Sequence, residues 1–284
     1  MKMHEIHIRD PYILPDKDKY YMYGSRGKEC WGKCTGLDVY VSDDLVEWSE
    51  PIEVFTKTDD FWSDMHYWAP EVHVYHNSYY MFVSLKSNSC CRGVQILKAN
   101  SPLGPYLVHS DGPVTPDNWE CLDGTLYINK GKPYMVFCHE WQQVKDGEMC
   151  AIPLSDDLKE CIGEPVLLFK ASQPLWADTD KEDYVTDGPF LYKTAEGRLL
   201  MIWSSFSNGE YCEAIAYSEN GDLLGEWKHE EQLLFDRDGG HGMIFRTREN
   251  QIKLVLHRPN NPSDERPCLL DLCEKDGFLR LIED

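Results

Sequence analysis

The sequence has few basic residues. Lys and Arg number 28 against 49 Asp and Glu, which gives a formal net charge of −21 over 284 residues. A protein that binds nucleic acid or an anionic membrane surface needs basic side chains to meet the phosphates, so neither partner is expected. No apolar run approaches the roughly 20 residues of a membrane-spanning helix. The N-terminus also has no apolar segment typical of a signal peptide.

The cysteines form no regular framework. There are 11, an odd number, and no Cys-x-x-Cys pair occurs among them. This pattern disfavours both a structural zinc site and a disulfide scaffold, and reduced thiols are typical of the cytoplasm. We therefore expect a cytoplasmic protein without an organic cofactor.

Sustained helical periodicity is absent as well, which excludes helical solenoids and α/β barrels. A repeat is present instead. Five similar segments mark its units, at residues 10–13, 69–72, 123–126, 187–190 and 241–244. Each segment is followed, after a turn, by an apolar run rich in β-forming residues, and a second turn begins 31 or 32 residues after each unit start.

The units begin 54 to 64 residues apart. A repeat of four antiparallel strands with such a period is typical of a propeller blade. We predict an all-β fold in which residues 1–284 form a single five-bladed β-propeller domain. Its blades are expected to start near residues 10, 69, 123, 187 and 241.

The propeller geometry predicts one face on which polar side chains converge. In each blade, the start of the first strand and the end of the antiparallel second strand lie on the same face. The strand starts contribute Asp10, Ala69, Asp123, Asp187 and His241. An Asp before Pro or Gly is common in turns, but like charges gathered at one axis are typical of a site that uses them.

Candidate sugar-binding side chains are expected around these five strand starts. They are Trp68, Glu140, Trp141, Trp203, Ser204 and Arg258. Aromatic rings can stack on sugars, and Arg can hold hydroxyl or carboxylate groups. Two carboxylates across a pocket can hydrolyse a glycosidic bond, one as general acid and the other as base or nucleophile. The residues therefore favour a carbohydrate-active enzyme.

Six short motifs carry a resemblance to a known family. They are Arg9-Asp10-Pro11-Tyr12-Ile13, Trp68-Ala69-Pro70-Glu71-Val72, Leu122-Asp123-Gly124, Thr186-Asp187-Gly188-Pro189-Phe190-Leu191-Tyr192, Trp203-Ser204-Ser205 and Gly240-His241-Gly242. In this order they resemble glycoside hydrolase family 43, and the resemblance covers essentially the whole chain. It implies a five-bladed propeller and hydrolysis with inversion at the anomeric carbon.

The resemblance also implies a role for four residues. Asp10 matches the general base that activates a water molecule, and Asp187 matches the general acid. Asp123 matches a third carboxylate that orients the acid and tunes its pKa. His241 matches a channel histidine that helps to hold a metal ion through coordinated waters, so Ca²⁺ or Na⁺ is expected in the central channel.

The sequence departs from the family at the acid. The family normally has glutamate there, whereas this chain has Asp187 before Gly188-Pro189. Aspartate is shorter by one carbon–carbon bond, roughly 1.5 Å, and displacing a catalytic group by about 1 Å can lower a rate on the order of 10²-fold. Three interpretations remain open: Asp187 still acts as the acid, Glu140 supplies it, or the protein binds sugars without efficient catalysis.

The predicted function is exo-acting hydrolysis of α-L-arabinofuranosyl or β-xylosyl residues in plant-derived oligosaccharides. The chain lacks the long C-terminal β-sandwich of many β-xylosidases in the resembling family, which favours an arabinofuranosidase, and an endo-arabinanase is less favoured. The alternative is a sugar-binding propeller with weak or lost catalysis. The expected partner is an oligosaccharide.

Overall fold

The protein folds into five antiparallel sheets of four strands each, arranged as a five-bladed β-propeller. The computed structural model describes residues 1–178 and 183–282. Residues 179–182 and 283–284 of the predicted domain lie outside the described residues. The predicted all-β fold class is confirmed.

The strands follow one another in chain order within each blade. Blade 1 contains β1 Ile8–Asp16, β2 Lys19–Arg26, β3 Gly36–Ser42 and β4 Ile52–Thr56. Blade 2 contains β5 Met65–Tyr75, β6 Ser78–Ser87, β7 Cys90–Ala99 and β8 Leu107–Val108. Blade 3 contains β9 Cys121–Asn129, β10 Lys132–His139, β11 Glu148–Pro153 and β12 Val166–Lys170. Blade 4 contains β13 Asp187–Lys193, β14 Leu199–Ser207, β15 Glu210–Ser218 and β16 Trp227–His229. Blade 5 contains β17 Gly240–Arg246, β18 Ile252–Arg258, β19 Arg266–Lys275 and β20 Phe278–Leu281.

Helical structure is confined to short segments in the described part of the chain. Two 3₁₀ turns span Met3–Glu5 and Gly27–Trp31, and the single α-helical turn α1 spans Trp141–Val144. Over residues 1–178 and 183–282, no helix has the length and apolar character needed to cross a membrane.

In blades 1 to 4, the second strand is the most deeply buried strand of the sheet. In β2, residues 20–25 are all buried, because neighbouring blades cover both faces of the sheet. A strand covered on both faces has a nearly continuous apolar sequence, and this explains the apolar runs of the repeat. Clusters of buried apolar side chains fill the space between neighbouring blades. The core therefore lies between the sheets, and the polar groups near the axis are left to face the channel.

Every first strand is interrupted by a β-bulge at the same place. The first bulged residue has positive φ in all five blades: Asp10 (54°), Ala69 (45°), Asp123 (58°), Gly188 (51°) and His241 (50°). The left-handed region costs a residue with a Cβ on the order of 1 kcal/mol or more. A bulge re-aims the side chain that it carries, and here it directs Asp10, Asp123 and His241 toward the axis.

The bulges correct one detail of the predicted repeat. The sequence aligns Asp187 with Asp10, but the structural equivalent of Asp10 in blade 4 is Gly188. Asp187 pairs with Ser204 just before the bulge, as Arg9 pairs with Ser25 in blade 1. The Asp-Gly-Pro sequence suggested the other alignment, whereas the pairing register fixes where the bulge falls.

The ring closes without a strand shared between its two ends. All four strands of blade 5 come from residues 240–281, so side chains join blade 5 to blade 1. An Arg9 Nη1 atom lies 3.2 Å from Oε1 of Glu265. Nε of Arg266 donates to the backbone oxygen of His4 at 2.9 Å.

Candidate active site

A cavity of about 190 Å³ opens at the axis, on the face to which the bulges point. The structure brings seven of the predicted site residues to its wall. They are Asp10, Trp68, Asp123, Glu140, Trp141, Asp187 and His241. Blades 1 to 5 each contribute at least one of them, so the cavity exists only in the closed ring.

Asp10 is buried and surrounded by positive or proton-donating groups. Ser25 Oγ donates to its Oδ2 at 2.6 Å, and Nε of Arg9 lies 3.3 Å from its Oδ1. His241 Nδ1 is 3.2 Å from the same oxygen. Burial alone would raise the pKa of Asp10, but His241, Arg9 and His257 together with the Ser25 hydrogen bond hold the pKa well below its usual value. This carboxylate is therefore ionised at any ordinary pH.

Asp123 lies beside Asp10 and has the opposite preference. Burial raises its pKa well above the usual value, and the negative charge of Asp10 raises it further. The backbone N–H of Gly188 donates to Oδ2 at 3.0 Å and acts in the other direction. His241 Nδ1 is 3.7 Å from the same oxygen, so the imidazole lies near the carboxyl groups of both Asp10 and Asp123.

Asp187 combines burial with a phenol contact. Burial raises its pKa to about 7, and the charge of Asp123 acts in the same direction. His241, Arg9 and the hydroxyl of Tyr211 partly offset this increase. Tyr211 Oη donates to Oδ2 of Asp187 at 3.0 Å. Asp187 can therefore hold a proton near neutral pH, as a general acid must.

Steric crowding explains why a glycine follows Asp187. A Cβ on Gly188 would lie 2.8 Å from ring atoms of His241, and its φ is positive. Only glycine allows this backbone to pass so close to the imidazole. The Asp-Gly-Pro motif thus packs blade 4 against His241 of blade 5.

Hydrogen bonds between neighbouring blades fix the bulges. Ser25 Oγ accepts the N–H of Ala69 at 2.8 Å, and Ser84 Oγ accepts that of Asp123 at 2.8 Å. Ser204 Oγ accepts the N–H of His241 at 2.7 Å, and Nδ1 of His257 accepts that of Asp10 at 3.2 Å. We call these contacts the junction hydrogen bonds. Each one places a bulge residue by means of the second strand of the preceding blade.

The side of the cavity formed by blades 2 and 3 is held by a buried cation. Arg92 Nε lies 3.3 Å from Oε2 of Glu140, and both side chains are almost fully buried. The Arg92 guanidinium carbon lies 3.7 Å from the ring centre of Trp68, whose Nε1 donates to the backbone oxygen of Cys30 at 2.6 Å. Glu140 and Trp68 therefore have fixed positions at the wall.

Three predicted sugar contacts lie outside the cavity. Trp203 is fully buried between blades 3 and 4, with its ring centre 5.2 Å from that of Phe169. The prediction that Trp203 stacks on a sugar is wrong, because successive side chains of a strand face opposite sides and this one faces the core between the blades. Arg258 is exposed and lies over the ring of Phe235 at 5.6 Å.

Ser204 is fully buried and also does not line the cavity. Besides its junction hydrogen bond, its Oγ donates to Oε2 of Glu213 at 3.0 Å. Glu213 Oε2 also accepts the N–H of Gly242 at 2.8 Å. Burial raises the pKa of Glu213 to about 7. The prediction that Ser204 contacts the sugar is therefore wrong. Its hydroxyl instead holds the backbone of His241 in place.

Sequence reasoning missed several side chains at the cavity. Arg9, Trp31, Phe206, Tyr211 and Asn260 all line it. The position of Arg9 directly before Asp10 was a signal for its inclusion. Trp31 comes from a 3₁₀ turn outside the repeat, and no sequence pattern pointed to it.

A directly ligated metal site does not fit the residues present. Among the described residues, no three or more His, Cys, Asp or Glu side chains form a group that could hold a metal ion. Nδ1 of His241 is directed at two carboxylates. An ion at this place would have one imidazole and water as ligands.

Comparison with known proteins identifies a family. The model of the family described as glycosyl hydrolases family 43 matches residues 4–274. An endo-arabinase structure from Bacteroides thetaiotaomicron VPI-5482 has 37% sequence identity and a TM-score of 0.90, with 98% of each chain covered.

Two curated relatives are more distant. An extracellular exo-α-(1→5)-L-arabinofuranosidase of Cellvibrio japonicus is 24% identical over 54% of this chain and 45% of its own length. An extracellular endo-α-(1→5)-L-arabinanase 1 of Bacillus subtilis is 23% identical over 49% of this chain and 45% of its own length. The match thus spans less than half the length of either relative. Because the family model matches residues 4–274 of the 284, the chain belongs to glycosyl hydrolases family 43.

Proposed function

We propose that the protein hydrolyses α-L-arabinofuranosyl linkages with inversion, with Asp187 as general acid and Asp10 as general base. Asp187 donates its proton to the glycosidic oxygen as the bond to the anomeric carbon breaks. Asp10 accepts a proton from the water that attacks the anomeric carbon from the opposite face. Asp123 orients Asp187, because its Oδ2 accepts the backbone N–H of the adjacent Gly188.

One observation carries this proposal: two carboxyl groups in the same cavity have pKa values shifted in opposite directions. Asp10 is held ionised, and the pKa of Asp187 is raised to about 7. Carboxyl pairs separated in this way divide the acid and base roles between them. Asp187 has a shorter side chain than glutamate and also a different place in its strand. It lies one residue before the bulge, whereas Asp10, Asp123 and His241 are themselves bulge residues.

The alternative acid, Glu140, is less suited to the role. Its Oε2 is paired with buried Arg92, and that contact would have to break or share the proton during catalysis. The sugar-binding alternative is disfavoured by the raised pKa of Asp187. A propeller that only binds sugar would need no protonated carboxyl group opposite an ionised one.

The relatives support arabinose over xylose as the sugar. The three proteins compared above are an endo-arabinase, an exo-arabinofuranosidase and an endo-arabinanase. The test is a panel of α-1,5-arabino-oligosaccharides, xylo-oligosaccharides and nitrophenyl pentosides with the purified protein. Release of β-configured arabinofuranose as the first product, followed by NMR, is expected. Activity on the xylosides alone, or a product that retains its configuration, would overturn the proposal.

A specific observation favours endo-cleavage as a second candidate mode, against the exo-action expected from the sequence. Two further cavities adjoin the central one. One shares Trp31, Trp68 and Gln142 with it, and the other shares Trp141, Val185 and Phe206. Their places on different sides of the central cavity would let sugars bind on both sides of the cleaved bond. Early products from long arabinan distinguish the modes, since endo-cleavage gives mixed oligomers and exo-cleavage gives one short product.

The channel cation remains a proposal as well. A water-ligated Ca²⁺ or Na⁺ beside His241 would offset the charge of the carboxylates. Dialysis against EDTA, followed by calorimetric titration with Ca²⁺, tests it. Binding that is lost in a His241→Ala variant is expected, and no binding heat with either ion would contradict the proposal.

A further inference from the structure

One of the five blade junctions lacks the junction hydrogen bond. At the others, the second-strand residue that accepts the N–H is Ser25, Ser84, Ser204 or His257. Each of these residues pairs with the position just before a bulge: Arg9, Trp68, Asp187 or Gly240. The residue in the same register of blade 3 is Cys138, which pairs with Leu122.

At the junction between blades 3 and 4, the backbone amide of the bulge residue therefore has a different acceptor. A thiol is a weak hydrogen-bond acceptor compared with a hydroxyl or an imidazole nitrogen. The N–H of Gly188, the bulge residue of the next blade, donates to Oδ2 of Asp123 at 3.0 Å. Gly188 directly follows Asp187, so this hydrogen bond connects Asp123 to the backbone that carries Asp187.

We propose that Cys138 is a positioning residue for the acid: its weak acceptor leaves the Gly188 amide to the Asp123 carboxylate and so fixes Asp123 relative to Asp187. The inference rests on the proposed function for its catalytic consequence. A serine here, as in blades 1, 2 and 4, would offer the amide a hydroxyl oxygen. Asp123 would then lose the amide N–H that its carboxylate accepts.

The surroundings of the thiol fit this role. Cys138 is fully buried. Burial raises the pKa of its thiol well above the usual value, and the charges of Asp123 and Asp187 act in the same direction. The thiol therefore stays neutral beside the two carboxyl groups and does not act as a nucleophile.

The test compares Cys138→Ser with Cys138→Ala, because only the first adds a strong acceptor. We expect kcat to fall about tenfold or more in Cys138→Ser with KM within about twofold, since displacing a catalytic group by a fraction of an ångström lowers turnover more than binding. Cys138→Ala is expected to keep kcat within about threefold of the wild type. Cys150→Ser, a matched change at another buried thiol of blade 3, controls for the cost of burying a hydroxyl.

A crystal structure of Cys138→Ser supplies a readout that does not depend on activity. The introduced hydroxyl oxygen is expected within about 3.2 Å of the Gly188 nitrogen, with Asp123 displaced from it. An unchanged bond from Gly188 to Asp123, or equal kcat in the Ser and Ala variants, would overturn the inference. If the wild type cleaves none of the sugars tested, the proposed function fails, and the structure of the variant still decides the role of Cys138.

Discussion

Asp10 and Asp187 line the same cavity but differ in their preference for a proton. The difference comes from their neighbours: Asp10 contacts Arg9, Ser25 and His241, whereas Asp187 lies beside Asp123 and accepts a hydrogen bond from the Tyr211 hydroxyl. At the scale of single residues, the chemistry therefore depends on which groups surround each carboxyl.

We predict that Asp10→Asn and Asp187→Asn each lower kcat on the order of 10³-fold or more, because each removes one proton-transfer group. Both variants should keep the wild-type circular dichroism spectrum and melting cooperativity. Asp44→Asn, at a turn remote from the cavity, should stay within about twofold. Near-full activity in Asp187→Asn together with a large loss in Glu140→Gln would assign the acid to Glu140 instead.

The pH profile provides a second prediction at this scale. The acid must be protonated, so kcat/KM should fall as pH rises through about 7, the pKa of Asp187. The Tyr211 hydrogen bond favours the ionised carboxylate, so Tyr211→Phe should raise that pKa and move the alkaline limb upward by on the order of one pH unit.

Tyr192→Phe is the matched control for this shift. Tyr192 Oη donates to Glu274 at 2.6 Å, and neither residue lines the cavity. The alkaline limb of the Tyr192→Phe pH profile should coincide with that of the wild type. A limb that moves to lower pH in Tyr211→Phe would show that the hydroxyl favours the protonated acid.

At the scale of strands, the bulges and the second strands together position the side chains at the axis. A bulge directs a side chain toward the axis, and the second strand of the preceding blade holds its amide. Glu213 on β15 extends this arrangement, because one of its oxygens accepts both the Gly242 amide and the Ser204 hydroxyl. Its other oxygen, Oε1, is buried with no hydrogen-bond partner among the described residues.

The buried Glu213 predicts a pH-dependent stability. Its pKa is about 7 in the folded protein against an ordinary value of 4.5, so the folded state retains a proton that the unfolded state releases between these values. The free energy of unfolding should therefore decrease as pH rises from 4.5 to 7, by on the order of 3 kcal/mol from this group. Asp187 contributes in the same direction.

The measurement is the change in Tm between pH 5 and pH 8. Glu213→Gln removes the titrating group, so its Tm should fall less over this range than that of the wild type. Glu249→Gln, at an exposed position, should leave the dependence unchanged. Identical slopes in wild type and Glu213→Gln would mean that Glu213 is already ionised in the folded protein at pH 5, against the prediction.

At the scale of the whole molecule, the site depends on ring closure. Arg9 contacts Asp10 on one side and Glu265 of blade 5 on the other. The Glu265 side chain is 3% exposed and that of Arg9 13%, which makes this a buried ion pair. Loss of one partner from such a pair typically costs several kcal/mol, because the other charge stays buried.

We predict that Glu265→Gln lowers Tm by roughly 6–12 °C, since a loss on the order of 3 kcal/mol shifts Tm by about 2–4 °C per kcal/mol in a chain of this size. It should also lower kcat, because Arg9 would no longer be held against Asp10. Lys19→Ala breaks an exposed pair with Asp43 and should change Tm by less than about 2 °C. Equal effects of the two substitutions would show that the ring does not depend on the Arg9–Glu265 pair.

The sequence by itself determined the architecture. In all five units, the second turn begins 31 or 32 residues after the unit start. This spacing specifies five blades, because strands and turns are local structures that depend on the residue types within each unit. The same pattern identified Asp10, Asp123, Asp187 and His241, since each lies next to a turn-forming Pro or Gly in a repeated place.

Only the tertiary structure decided what surrounds those residues. The pairing register placed Gly188 rather than Asp187 in the bulge, and burial between blades removed Trp203 from the cavity. Trp31 lines the cavity from a 3₁₀ turn outside the repeat, and Tyr211 lines it from the start of the third strand of blade 4. A repeat fixes which face a strand end occupies, but the direction of a side chain and the pKa of a carboxyl depend on register and on neighbours supplied by other blades.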